Sequence, residues 1–144
     1  LWQGHGAQVL GRARFFFRRF RDPIKPRWAP GFVAAYRWKR WSAMADPHIS
    51  FGLYNRDRGN ANTLNIPLWM GVAVADPVVL FARTGIVGGF ESFGDKYQIP
   101  LGLGVGVAPA PGWRAELQFA FPRLFGPLNT YWPRDLLLRV SYAK

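Results

Sequence analysis

The chain has 144 residues and a formal net charge of +11, with 16 glycines, 12 prolines, 17% aromatic residues and only 19% charged ones. Charge below the roughly 25% usual for soluble domains, with this much glycine and proline, favours one domain of many short strands joined by turns. The lack of cysteine excludes disulfide scaffolds and thiolate metal sites, two histidines (His5 and His48) argue against a multi-histidine centre, and every apolar run is too short for a membrane-spanning helix.

The charge is uneven. Residues 1–58 hold 12 Lys/Arg against Asp22, Asp46 and Asp57, a balance of +9, and the remaining 86 residues carry +2. A basic half attracts anions of any kind, so charge alone does not choose among nucleic acid, lipid headgroups and polysaccharide. Residues 1–8 contain no charged start followed by an apolar stretch, so they read as a disordered or periplasmic tail on a processed or truncated product. The single domain spans 1–144.

A strand is expected at 9–20, where Ala13, Phe15 and Phe17 alternate with Arg12, Arg14 and Arg18. After a polar connection at 21–30, a second strand at 31–44 sets Phe32, Ala34, Tyr36 and Trp38 against Arg37 and Lys39. A short turn at Ala45, Asp46 and Pro47 leads to a third at 48–55, with Ile49, Phe51 and Leu53 opposite His48, Ser50 and Gly52. The connection 56–63 precedes a strand at 64–75, in which Ile66, Leu68, Met70, Val72 and Val74 share a face. Asp76-Pro77 makes the next turn. The strand at 78–90 has the weakest alternation, since Val79, Phe81 and Val87 join Arg83 on the polar side. Beyond the connection 91–96, the strand at 97–108 alternates branched apolar residues with glycine. The turn from Pro109 to Gly112 leads to 113–123, where Ala115, Leu117, Phe119 and Phe121 oppose Arg114, Glu116 and Gln118. The connection 124–133 ends at the last strand, 134–143, with Leu136, Leu138, Val140 and Tyr142 against Arg139 and Ser141.

Two repeats support this division. Ile66–Ala75 laid over Ile99–Ala108 matches at seven of ten positions, and Ala45-Asp46-Pro47 recurs as Ala75-Asp76-Pro77. Pro67 and Pro100 lack a backbone donor and mark strand starts or bulges. Short turns and longer polar connections then alternate along eight strands.

On these features the chain resembles the outer-membrane β-barrel proteins of Gram-negative bacteria, whose antiparallel strands are apolar outside and polar or small inside, with short periplasmic turns and longer outer loops. The resemblance implies an all-β, antiparallel up-and-down transmembrane β-barrel of about eight strands in the bacterial outer membrane. Asp46-Pro47, Asp76-Pro77, Pro109 and Gly112 would mark its periplasmic turns. Trp28, Trp38, Trp41, Trp69, Tyr97, Trp113, Tyr131 and Trp132 would form two aromatic belts at the water–lipid boundaries. A chain ending Tyr142-Ala143-Lys144 departs from the terminal aromatic usual in such barrels, and +11 departs from their usual charge.

The inward basic and polar cluster is expected to be Arg12, Arg14, Arg37, Lys39, Arg114, Glu116, Gln118 and Arg139. In an eight-stranded barrel these fill the interior, with Glu116 satisfying several arginines and the strand glycines making room for Trp69 or Phe81. No catalytic group, metal or cofactor is expected. His48 and Ser50, two apart on one face, lack an orienting carboxylate at a matching spacing. The basic-aromatic stretches at Phe15–Arg19 and Tyr36–Trp41 contain no nucleic-acid motif. The expected function is a non-enzymatic anchor or scaffold, its partners membrane lipid and lipopolysaccharide, with outer loops meeting anionic polysaccharide, a protein partner or a second copy. The alternatives are a section of a larger anion-favouring pore, a lipid-modifying enzyme and a soluble nucleic-acid-binding barrel.

Overall fold

The computed structural model describes residues 2–4, 6–19, 21–127 and 129–142, with the backbone alone for 2–4; His5 and the terminal residues 143–144 lie outside them. One antiparallel sheet holds every strand: β1 (Trp2–Gly4), β2 (Ala7–Phe17), β3 (Pro26–Trp38), β4 (Trp41–Ala45), β5 (His48–Gly52), β6 (Thr63–Ala75), β7 (Val78–Gly89), β8 (Ile99–Val107), β9 (Trp113–Phe125) and β10 (Asp135–Tyr142). A single-turn helix, α1 (Phe93–Lys96), lies in the β7–β8 connection. Among the described residues no helix is long and apolar enough to cross a membrane.

β4 and β5 are two parts of one strand. Ala45 faces Ala34 and His48 faces Gly31 on β3, while the same two residues face Leu68 and Asn65 on β6, so register is kept on both sides of Asp46-Pro47. The backbone bridges the gap: Asp46 N–H donates to the Pro67 carbonyl at 3.0 Å, and the Pro47 carbonyl accepts from Phe32 N–H at 3.1 Å. Counting this strand once gives eight long strands, with β1 a short flap on β2.

The turn expected at Asp46-Pro47 is therefore a correction. The chain reverses six residues earlier, where Trp38 pairs with Trp41 across Lys39 and Arg40, and Lys39 takes φ +52°. A lysine-arginine pair carries none of the usual turn chemistry. Asp76-Pro77 and the segment from Pro109 to Gly112 are turns as expected, the latter with Gly112 at φ +79°. Pro100 lies at the irregularity between Ile99 and Leu101, whereas Pro67 stays in register opposite Gly85. Part of the expected tail is strand, since Trp2–Gly4 pairs with Ala7–Val9. The connection drawn at 21–30 ends earlier, because Pro26 and Pro30 both pair with β2.

The ladders run from β1 to β10, and among the described residues none joins β10 to β1 or β2. The sheet is nevertheless curled, because Gln8 on β2 and Arg139 on β10 line the same cavity. Short turns (39–40, 76–77, 108–112) gather at one end and longer connections (18–25, 53–62, 90–98, 126–134) at the other.

The misplaced turn gives a clean test, because the chain has no cysteine. Ala34→Cys with Ala45→Cys should cross-link on mild oxidation, since cross-strand partners lie within about 5.5 Å of one another. Ala43→Cys with Ile49→Cys, which a hairpin at 45–47 would bring together, should stay reduced.

Candidate functional site

Residues opposite each other in an antiparallel ladder project from the same face, so continuous register carries face assignments from strand to strand. Following the pairs from β2 to β10, one face collects Val9, Phe15, Trp28, Phe32, Leu68, Met70, Leu80, Leu103, Leu117, Phe119, Leu138 and Val140. No ladder-paired residue on this outer face is charged. Its side chains are open: Leu103 is 59% exposed, Met70 57% and Leu138 73%.

The inner face holds Arg12, Arg14, Arg27, Arg37, Arg83, Arg114 and Arg139, together with Glu116, Gln118 and Asp135. Of the expected inner cluster, only Lys39 is misplaced. It lies in the turn with its ammonium 4.9 Å from the Trp38 ring centre. Trp69 is also a correction: its ladder partner is Arg83, so it turns inward and stacks on Phe81 at 6.2 Å rather than joining a belt. Trp38, Trp41 and Trp113 lie on the outer face at the turn end, where Trp113 packs on Tyr142 at 5.2 Å. Trp28 stacks on Phe51 toward the loop end, and Tyr97, Tyr131 and Trp132 lie in the long connections there.

Glycine makes the inner stack possible. A Cβ on Gly104 would lie 2.4 Å from the Phe81 ring and 2.6 Å from the Leu117 carbonyl, and one on Gly71 would lie 2.4 Å from Trp69. One on Gly102 would meet the Gln118 amide at 2.5 Å. The expectation that strand glycines make room for Trp69 and Phe81 is met in these contacts.

Polar contacts divide the interior into three levels. At the loop end Arg27, 5% exposed, donates to Asn60 Oδ1 at 2.9 Å, to Thr63 Oγ1 at 3.2 Å and to the Ala61 carbonyl. Asn60 is fully buried and donates to the Pro26 and Tyr54 carbonyls. The 53–62 connection is thus anchored to the inner face through Asn60, while residues 56–59 stay exposed. Gly52 allows it, because the Asn60 carbonyl occupies the space a Cβ there would need.

At mid-height Arg12 and Asp46 approach to 2.5 Å, at an angle that leaves Arg12 Nε and Asp46 Oδ1 without hydrogen-bond partners among the described residues. Nδ1 of His48 lies 3.2 Å from Arg12 and 2.9 Å from the Asp46 carbonyl. It serves one or the other: protonated it donates to the carbonyl, and bare it accepts from the guanidinium. Ser50 is buried in the next row, with no hydrogen bond to His48 among the described residues. On the other wall Glu116 accepts from Arg83 at 2.8 Å and lies 3.9 Å from Arg139.

Toward the turn end the interior is open. A cavity of about 810 Å³ reaches from Gln118 and Thr84 to Arg37 and Arg114, and an adjoining one of about 440 Å³ lies against Arg40, Val79 and Asp76. The inner face therefore carries an anchored connection near Arg27 at one end and open volume beside Arg37 and Arg114 at the other. Alternation exposed most of this arrangement. Arg83 and Arg27 were missed as site residues, the first because its strand alternates poorly and the second because it was assigned to a loop. Among the described residues no group of His, Asp and Glu is placed to hold a metal.

Gly104→Val should destabilise the fold by roughly 2–3 kcal/mol through overpacking against Phe81 and β9, while Gly11→Val, with nothing within 4 Å of its Cβ, should change little; thermal unfolding of both variants checks this. Asp46→Asn should cost about 1–3 kcal/mol by stranding Arg12. Adding Arg12→Gln should recover part of that loss in a double-mutant cycle.

The chain finds no match among protein-family models, curated proteins or solved structures, so what the site does is argued from its own geometry.

Proposed function

We propose that the protein is a small outer-membrane β-barrel acting as a non-enzymatic anchor or scaffold. The observation that carries the reading is the outer face, along whose ladders no charged side chain appears. Soluble monomers rarely expose contiguous apolar patches beyond a few hundred Å². From Trp28 to Trp38 the outer face of β3 runs ten residue steps, about 33 Å at roughly 3.3 Å each. At a tilt near 40° that is about 25 Å of height, the apolar band of an outer-membrane barrel. The tryptophans at its ends then meet the two interfaces.

Lipid cannot satisfy unpaired backbone groups, so β10 and the free edge of β2 must pair within a bilayer. They run antiparallel to each other, and their inward residues already line one cavity. The long connections would face outward, where Arg19, Arg21, Lys25, Arg56 and Arg58 offer basic groups to lipopolysaccharide phosphates or to an acidic partner.

Refolding decides between this and a soluble reading. In detergent the protein should show a β-rich circular dichroism spectrum and a gel band whose mobility shifts on boiling. Full solubility of the folded chain without detergent would sink the membrane assignment, and salt-sensitive oligonucleotide binding by that soluble form would support the nucleic-acid alternative.

A further inference from the structure

We propose that the turn end of the inner face carries a binding pocket for a phosphate-bearing anion, held between Arg37, Arg40 and Arg114. This goes beyond the anchor role, which uses the outer face and the loops.

The inner arginines differ in how their charge is met. Arg12 has Asp46, Arg83 and Arg139 share Glu116, and Arg27 is saturated by Asn60, Thr63 and the Ala61 carbonyl. Among the described residues no ion pair or side-chain hydrogen bond engages Arg37, Arg40 or Arg114. All three line the 440 Å³ cavity, Arg37 and Arg40 from the β3–β4 wall and Arg114 from the opposing β9 wall, with Asp76 the free carboxylate at its rim. Glu116 also lines it but is already engaged by two arginines.

Guanidinium groups lining two walls of one cavity suit a phosphate, because each can present a planar fork of donors to its oxygens. Three arginines against Asp76 and an already paired Glu116 leave the cleft with an excess of positive charge, which concentrates the opposite ion. Trp69 and Phe81, stacked on each other, back this pocket, and Ser42 adds a hydroxyl beside Arg37.

The test is calorimetric titration of the folded protein, in whichever of detergent or buffer keeps it folded, with sodium pyrophosphate at 150 mM NaCl. Saturable binding is expected, weakened at least tenfold in Arg37→Gln/Arg114→Gln. Arg37→Lys/Arg114→Lys, which keeps the charge and removes the forks, should fall between the two. Arg123→Gln/Arg134→Gln removes the same charge away from the cavity, at and beside the 126–134 connection, and should bind like the parent. No saturable binding, or equal weakening in both glutamine pairs, would overturn the proposal, the second outcome showing that net charge alone attracts the anion. Short-chain phosphatidic acid identifies the source: tighter binding than pyrophosphate makes the site one for a lipid headgroup, and weaker binding makes it one for a free phosphate compound. Because the readout is binding by folded protein, it stands apart from the membrane assignment.

Discussion

Continuous antiparallel register is the constraint on which this structure depends. With a side-chain period of two, a slip of one residue in any ladder would send arginines to the outer face and leucines to the inner one on every strand beyond it. Register holds across the β4–β5 interruption because Asp46 and Pro47 still offer an N–H and a carbonyl to their neighbours. The missing proline N–H costs one ladder bond without inserting a residue. Charge segregation between the two faces follows from that continuity.

Segregation sets the energetic problem of the interior. Several arginines facing one another behind an apolar wall repel, and two of the three levels relieve this differently. At mid-height carboxylates do so, with Asp46 beside Arg12 and Glu116 between Arg83 and Arg139. At the loop end no carboxylate pairs with Arg27 among the described residues, and neutral oxygens from Asn60, Thr63 and Ala61 take its guanidinium donors. That is a hydrogen-bonding solution at a nearly buried guanidinium, and it ties the 53–62 connection to the sheet.

Much of this was legible in the sequence, and the exceptions have physical causes. Alternation from Ala115 to Phe121 and from Ile66 to Val74 identified their faces correctly, because a half-buried strand writes its environment into every second residue. The phrase Ala-Asp-Pro misled because the same three residues serve two backbones: Asp76-Pro77 closes a hairpin, while Asp46-Pro47 passes straight through the sheet. Local sequence does not distinguish them; the neighbouring strands do. Trp69 was assigned to a belt as well as offered as a lumen filler because tryptophan suits both an interface and an interior. Its inward position depends on Gly71 and on Phe81, the ladder partner of Gly71 on the adjacent strand, which only the register brings together. Arg27 was hidden by prolines on both sides that read as a loop.

The glycines explain where the inner face of the curled sheet leaves open volume. Gly71, Gly102, Gly104 and Gly106 all face inward, and the rings of Trp69 and Phe81 lie over the first and third of them. Bulk is thereby drawn against one wall instead of across the lumen. The space released lies beside Arg37 and Arg114, which make no ion pair among the described residues although Asp76 and Glu116 line the same cavity. Small residues on β8 and unpaired arginines on β3 and β9 are thus two sides of one arrangement. Refilling the glycine track with larger side chains would shrink the cavity and press the arginines closer together, raising the repulsion that the open volume now allows solvent or a bound anion to screen.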